Sequence, residues 1–573
     1  MNAATFLNQF EHLAESPNGI AKLRELILQL AVRGKLVPQD PNDEPASELL
    51  KKIEAEKRLL VSKRVIPKTR SLEAIGPEEL PYGLPENWIW TRLGDIGRTQ
   101  TGTTPKKSDV DSYGDDIPFL KPGDISWSRV DYGNEGLSKL GVEKYGRMAA
   151  SGSSLMVCIG TIGKTQVIDR DCSFNQQINA VTPFRGVAPA LLQWFLRSPY
   201  FQDAAWARAS STTISILNKG KWQSIPLPLP PLAEQKRIVA KVDELMALCD
   251  NLEAKRQAKR TKQLALNRAS LYALTEPNGT SLAAAWRRVR DHFDHLYTLP
   301  ETVADLRQTI LQLAVMGRLV PQDPKDEPAS ELLQKIQAEK QRLIAEGTIR
   351  KTKALPAVDD VGDLPNTWEI RRLADVCVSI VDGSHNPPPR SSSGLPYITA
   401  KNVIGGRVEL DGCTFISDED APAVTKRYVP RDGDVLLTCV GTIGRIAIVH
   451  GSERFAIDRN VAALRPHAVG IDPKYLEIVL RGPEMQRIIS AASGSTAQPH
   501  IYLKEIRSLV CPLPPLAEQK RIVTKVDQLM TLCDDLEAKL QQAQTDADNL
   551  LAAIVHELTR TSADSQERSL NAT

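Results

Sequence analysis

Two short stretches hold residue types that could do chemistry. Gly160–Thr165 reads GTIGKT and sets two glycines, a lysine and a threonine in the order a phosphate-cradling loop would use. A Walker-type loop needs four residues between its glycines for the backbone N–H groups to wrap the phosphates, and here two intervene. The sister stretch Gly441–Ile446 reads GTIGRI and lacks the final hydroxyl. A tight turn between two strands is expected at both places. Asn386–Pro389 reads NPPP. Amino-methyltransferases use an Asn-Pro-Pro-aromatic motif, whose ring stacks on an extruded base. Pro389 offers no stacking face, and no glycine-rich methyl-donor loop follows a strand, so a stiff loop beside His385 is expected. His292, His295 and His500 have no partners at metal-ligand spacing, and the eight cysteines include no C-x-x-C pair. There is no H-E-x-x-H, no G-x-S-x-G and no helicase-type nucleotide site. The chain therefore reads as non-catalytic, with no catalytic residue, no metal and no cofactor of its own.

The elements that hold these stretches come from a doubled chain. With 573 residues, several units are expected. Leu23–Arg58 and Leu306–Gln341 are identical at 28 of 36 positions, and Pro228–Lys255 and Pro512–Lys539 at 24 of 28. The offsets, 283 and 284 residues, are far beyond a solenoid period of up to about 50. Between the matched blocks the halves share only landmarks. These are LPENWIWTRLGDI against LPNTWEIRRLADV, the C-x-G-T-I-G motif at Cys158 and Cys439, and Ser-Thr pairs at Ser211–Thr212 and Ser495–Thr496. Short β-like runs between turn signals predict two loop-rich globular domains.

The matched blocks read as helix. After PLPPLAEQK, apolar residues recur at Ile238, Val242, Leu245, Cys249 and Leu252. In the second copy they recur at Ile522, Val526, Leu529, Cys533, Leu536 and Leu540, then Ala543, Ala547, Leu550 and Ile554. Steps of four and three make a coiled-coil seam that must find a partner helix. The preceding prolines set a sharp start. PASELLKKIEAEKRLL predicts another helix with Ser47 as N-cap. The expected fold is α+β: two globular domains separated by long antiparallel coiled-coil helices, related by pseudo-twofold symmetry. The expected segments are a helical region 1–75, a globular domain 76–227, a helical spacer 228–355, a second globular domain 356–511 and a final helix 512–573.

Composition is that of a soluble globular protein, 42% hydrophobic and 25% charged. The net charge of +2 does not mark a nucleic-acid binder, so a DNA-binding surface would have to be local. The opening residues lack a basic and apolar leader pattern, and no apolar run nears the roughly 18–20 residues of a spanning helix. Reduced core thiols and a cytoplasmic location are expected.

The duplicated PLPPLAEQKRIV, at Pro228–Val239 and Pro512–Val523, and the block LILQLAVRGKLVPQD at Leu26–Asp40 resemble the specificity subunits of type I restriction–modification systems. The resemblance implies that each variable domain reads one half of a bipartite, asymmetric target in double-stranded DNA. It implies that the helices fix the spacing and dock two methyltransferase subunits, with restriction-translocase subunits joining in the full complex. S-adenosylmethionine, ATP and magnesium are then expected on those partners. A coiled-coil scaffold that binds proteins without sequence-specific DNA contact is the alternative. A fused methyltransferase or nuclease lacks its motifs.

Bases are read by Arg, Lys, Asn, Gln, Ser and Thr from loops. Candidate DNA-binding residues are Thr101, Thr103, Lys106, Lys121, Thr161, Lys164, Ser211 and Thr212 in the first domain. In the second they are Ser384, His385, Lys401, Asn402, Thr442, Arg445, Ser495, Thr496, Gln498 and His500. Trp88 and Trp368, at equivalent domain entrances, are expected in the core. Glu234, Lys236 and Arg237, with Glu518, Lys520 and Arg521, are expected to face outward and bind partners.

Overall fold

The computed structural model describes residues 16–68, 71–211, 214–276, 281–349, 364–493 and 499–560, with single residues Ala14, Leu355, Pro356 and Val358. The chain forms two compact units, residues 1–259 with 543–573, and residues 260–542. Both mix helices with sheets, as an α+β protein does.

The first unit opens with helices α1 (Gly19–Val32) and α2 (Ala46–Ser62). The chain leaves α1 through Gly34, whose φ is 66°, and the Lys35 N–H reaches back to the Leu30 carbonyl. A Cβ at Gly34 would lie 2.5 Å from Pro85 Cγ, so both backbone and space require glycine. Ser47 does not cap α2. The helix starts at Ala46, directly after Pro45, and the Ala46 N–H bonds the Asn87 carbonyl. Pro45 holds extended backbone at the N-cap position itself, so the helix starts two residues too early for a Ser47 cap.

Strands β1 (Gly97–Thr101), β2 (Ser154–Val157), β3 (Thr165–Val167) and β4 (Ile178–Pro183) form an antiparallel sheet in the order β1-β4-β2-β3. A second sheet joins Gly136–Leu137, Tyr113–Leu120, Cys172–Phe174 and Met148–Ala149. Ile89–Arg92 pairs with Pro226–Leu229 and fastens the domain's entry to its exit. Helix α3 (Leu232–Thr275) follows.

The second unit repeats this plan despite its scattered sequence match. It has helices α4 (Pro300–Val315) and α5 (Ala329–Ala345). Its main sheet takes β5 (Cys377–Asp382), β6 (Val435–Thr438), β7 (Ile446–Ile448) and β8 (Val461–Pro466) in the same order, β5-β8-β6-β7. Glu369–Arg372 pairs with Val510–Leu513 before helix α6 (Leu516–Arg560). Both long helices contribute to both units. α3 belongs to the first through Lys259, and α6 to the second through Gln542.

The expected seam is buried at Ile238, Val242, Leu245, Cys249, Ile522, Val526 and Cys533 and half-buried at Leu252, Leu529, Leu536 and Leu540, and it is filled from within each unit. Ile238, Val242, Leu245 and Cys249 share one core with Leu23, Leu26 and Ile27 of α1 and with Leu192 and Phe195 of the globular domain. Arg24 clamps α1 to α3 through Asp250 at 2.6 Å and Glu253 at 2.7 Å. Arg307 does the same for α4 and α6 through Asp534 and Glu537. Towards the end of α6 the expected positions divide. Ala543 is exposed and Leu550 is 64% exposed, with Leu551 buried in its place, whereas Ala547 and Ile554 are half-buried and Ile554 packs on the core of the first unit. A straight helix has 3.6 residues per turn, so a strict heptad drifts by about 20° per repeat and the buried stripe broadens away from the expected line.

Seven of the eight free cysteines are buried and Cys413 is half-buried. Burial pushes the Cys158, Cys439 and Cys511 thiols up to about 12 and keeps them protonated. Among the described residues no helix is long and apolar enough to cross a membrane.

Candidate nucleic-acid interface

Both C-x-G-T-I-G motifs are hairpin turns. Cys158–Lys164 joins β2 to β3, with Gly160 at φ 77° and Gly163 at φ 105°. The second copy has Gly441 at φ 75° and Gly444 at φ 83°. The Val157 N–H bonds the Lys164 carbonyl, and the Gly163 N–H bonds Val157 back. Thr165 is buried against Gln193, so its hydroxyl is not offered to a phosphate. The turn instead presents Thr161 to solvent with Lys164 half-buried beside it, and Thr442 and Arg445 are exposed in the sister turn.

In the first domain Thr101 ends β1 and donates to Asn179 Oδ1 at 2.6 Å. Thr103 donates to the Tyr145 carbonyl. Lys106 is exposed, and Lys121, also exposed, pairs with Glu135. Ser210–Ser211 forms a two-residue strand with Ser215–Ile216, and Ile216 bridges Ile159 of the hairpin turn. The Ser211 side chain and Thr212 lie outside the described residues, as do Ser495, Thr496 and Gln498.

In the second domain Ser384 bonds the Ile457 carbonyl through its backbone, and His385 Nε2 lies 2.9 Å from Asp382 Oδ2. Lys401 is exposed. Asn402 is buried: it accepts from the Thr399 N–H and hydroxyl and donates to the Glu409 carbonyl. Its amide is used inside the turn, so this candidate is a turn-former in the structure. His500 bridges Val440, and its ring lies 4.1 Å from that of Tyr502, which is exposed.

Residues outside the motifs form a cluster joined to His385 through Asp382. Arg427 donates to the other oxygen of Asp382. Arg390 lies 3.9 Å over the Tyr397 ring and 3.7 Å from Asp458. These residues come from separate segments, so spacing could not reveal them. The one sequence signal is Asp382, an acid closing the otherwise apolar strand end SIVD.

The residues expected on the partner surface divide. Glu234 and Glu518 turn inward, each only 1% exposed. Glu234 accepts from Trp88 Nε1 at 2.8 Å and Gln39 at 2.6 Å; Glu518 accepts from Trp368 Nε1 at 3.0 Å and Gln322 at 2.6 Å. The cause is helical phase: Glu234 stands four residues before Ile238 and continues the buried stripe. Burial raises the carboxyl pKa of both, and the Trp and Gln donors partly offset it. Arg237 pairs with Asp43 at 2.5 Å and Arg521 with Asp326 at 2.6 Å. Lys236 and Lys520 alone are exposed as expected. Gln235, unmarked by the sequence reading, is fully buried. It accepts from the Ala188 N–H and donates to the Gly186 and Pro230 carbonyls. Gln519 does the same with Asp472, Gly470 and Pro514. Much of the repeated motif thus stitches each long helix to its own globular domain.

A family model described as "Type I restriction modification DNA specificity domain" matches residues 85–260 and 365–543. The chain is 34% identical over 557 residues to the type I restriction enzyme EcoAI specificity subunit of Escherichia coli, covering 92% of this chain and 91% of that one. It is 34% identical over 552 residues to the EcoEI specificity subunit of the same organism, with the same coverage. Among solved structures, the HsdS subunit from Thermoanaerobacter tengcongensis matches at 20% identity, covering 84% of this chain and 99% of its own, with a TM-score of 0.42.

Proposed function

This chain belongs to the type I restriction–modification DNA specificity family, and from that premise we propose that it is the sequence-reading adaptor of such a system. Each globular domain reads one half of a bipartite, asymmetric duplex target, and the helices fix the distance between the halves. The observation that carries this reading is a contrast. The two domains keep one sheet order and one set of helix stitches. At matching strand ends their side chains differ: Thr101 faces Asn179 across β1 and β4, where Asp382 faces Ala462 across β5 and β8. A shared frame with divergent side chains at its strand ends suits two readers of two sequences.

The chain is non-catalytic in this reading. Two methyltransferase subunits dock on the helical parts, with Lys236 and Lys520 among the exposed residues near their starts. Restriction-translocase subunits complete the assembly. S-adenosylmethionine, ATP and magnesium serve those partners, and the assembly works in the cytoplasm. The test is to express the chain with and without its methyltransferase subunit in a methylation-free host and sequence the methylome. A bipartite motif is expected only with both. Methylation by this chain alone, or a motif unchanged when this chain is replaced by another specificity subunit, would overturn the proposal.

A further inference from the structure

The strongest unassigned feature is the cluster around Asp382 and Asp458 in the second domain. Both carboxylates are largely buried, with side chains 12% and 11% exposed. Gly383 lies directly on the Ile457–Asp458 backbone, so close that a Cβ would sit 1.8 Å from the Ile457 oxygen. The two acids are therefore neighbours. Asp458 accepts from the Tyr397 hydroxyl at 3.1 Å and the Asn460 N–H at 3.0 Å. Around them stand three basic groups that remain open to solvent: Arg390 37%, Arg427 48% and His385 55% exposed.

We infer that Arg427 and Arg390 form a guanine-reading head, aimed by Asp382 and Asp458, so that the half-site of the second domain contains a required G·C pair. This rests on the DNA-reading function proposed above. A guanidinium has five N–H donors, and one carboxylate contact leaves an edge with which to address guanine O6 and N7 together. A group meant only to attract phosphates gains nothing from a buried acid, which cancels its charge. The acid does fix the fork's direction and lowers the entropy lost on docking. The Tyr397 ring beneath Arg390 holds that guanidinium in one plane.

The first domain is different chemistry in the same frame. Thr101 occupies the strand-end position of Asp382, and Gly102, which packs on Phe174 and Asn175 as Gly383 packs on Ile457 and Asp458, sets Asn175 against Asp458. Thr104 bonds Gln176, and Asn175 bonds Gln177. Hydroxyls and amides replace the arginines and acids, so the two halves do not read alike.

The test uses the full chain with its methyltransferase subunit and methylome sequencing of R427A, R427K, R390A and the near-isosteric D382N. The expected result is a wild-type motif with a guanine in one half. Each variant should lose discrimination at one base pair there, by about ten- to a hundredfold, with the other half unchanged. D382N acts through Arg427, so it should relax the same position as R427A. A wild-type motif with R427K would assign a phosphate contact and overturn the inference. So would methylation lost equally in all four variants with unchanged thermal stability, or a half-site lacking G·C. Absence of any bipartite motif from the wild-type assembly would instead sink the adaptor function itself.

Discussion

Gln235 and Gln519 show how much a single side chain can hold. Each is fully buried, and each amide serves one N–H and two carbonyls of the backbone around it. Gln235→Ala would strand those groups without water, at about 1–3 kcal/mol for each unsatisfied group. Thermal denaturation should show a large loss from this change and almost none from Lys236→Ala on the exposed side. Glu234 and Glu518 give a second, pH-dependent expectation. Their folded pKa is raised by burial above the ordinary value of 4.5. Stability from the protonated form is therefore complete below 4.5 and is lost as pH rises through the folded value. The double variant E234Q/E518Q should lose less melting temperature than wild type as pH climbs from 4.5 towards neutrality; parallel curves would contradict the shift. At this scale the sequence was legible where phase governs. Trp88 and Trp368 lie in the core as their equivalent placement implies. Glu234 could have been placed by following Ile238 back one turn; its charge suggested the surface instead. Arg390 and Arg427 were illegible, because their meaning comes from partners in distant segments.

Among elements, the helical blocks and the hairpin turns were readable because both obey local rules. Periodicity marked the long helices, and paired glycines at positive φ marked the turns. The sheet order was not readable, since β1 pairs directly with β4, and the stretch of chain between them carries β2, β3 and the second sheet. At the end of α6 Ala543 and Leu550 were misread and Ala547 and Ile554 were not, because a strict heptad drifts against 3.6 residues per turn. The long helices also carry a mechanical expectation. Helix rise is about 1.5 Å per residue and DNA rise about 3.4 Å per base pair. Inserting about four residues in the helical spacer should widen the unread gap by roughly two base pairs, and methylome mapping would reveal an unchanged gap if the helices are not the ruler.

For the whole molecule, a net charge of +2 on 573 residues means that DNA affinity must come from local loops and from its partners. Binding of the assembled complex to a labelled duplex should nevertheless weaken steeply with salt, because each neutralised phosphate releases counterions. A flat salt response in a competition gel shift would argue for the protein-scaffold alternative. The buried glutamines also have a consequence for domain exchange. Gln235 and Gln519 meet only main-chain atoms of the domains they hold. These bonds place no demand on side-chain identity in the domain, while the apolar packing of Leu192 and Phe195 on the helix does. A hybrid in which Trp88–Leu229 comes from another family member should therefore still fold on α3 if it keeps the main-chain path at Gly186 and Ala188 and the apolar residues at Leu192 and Phe195, which thermal denaturation would check.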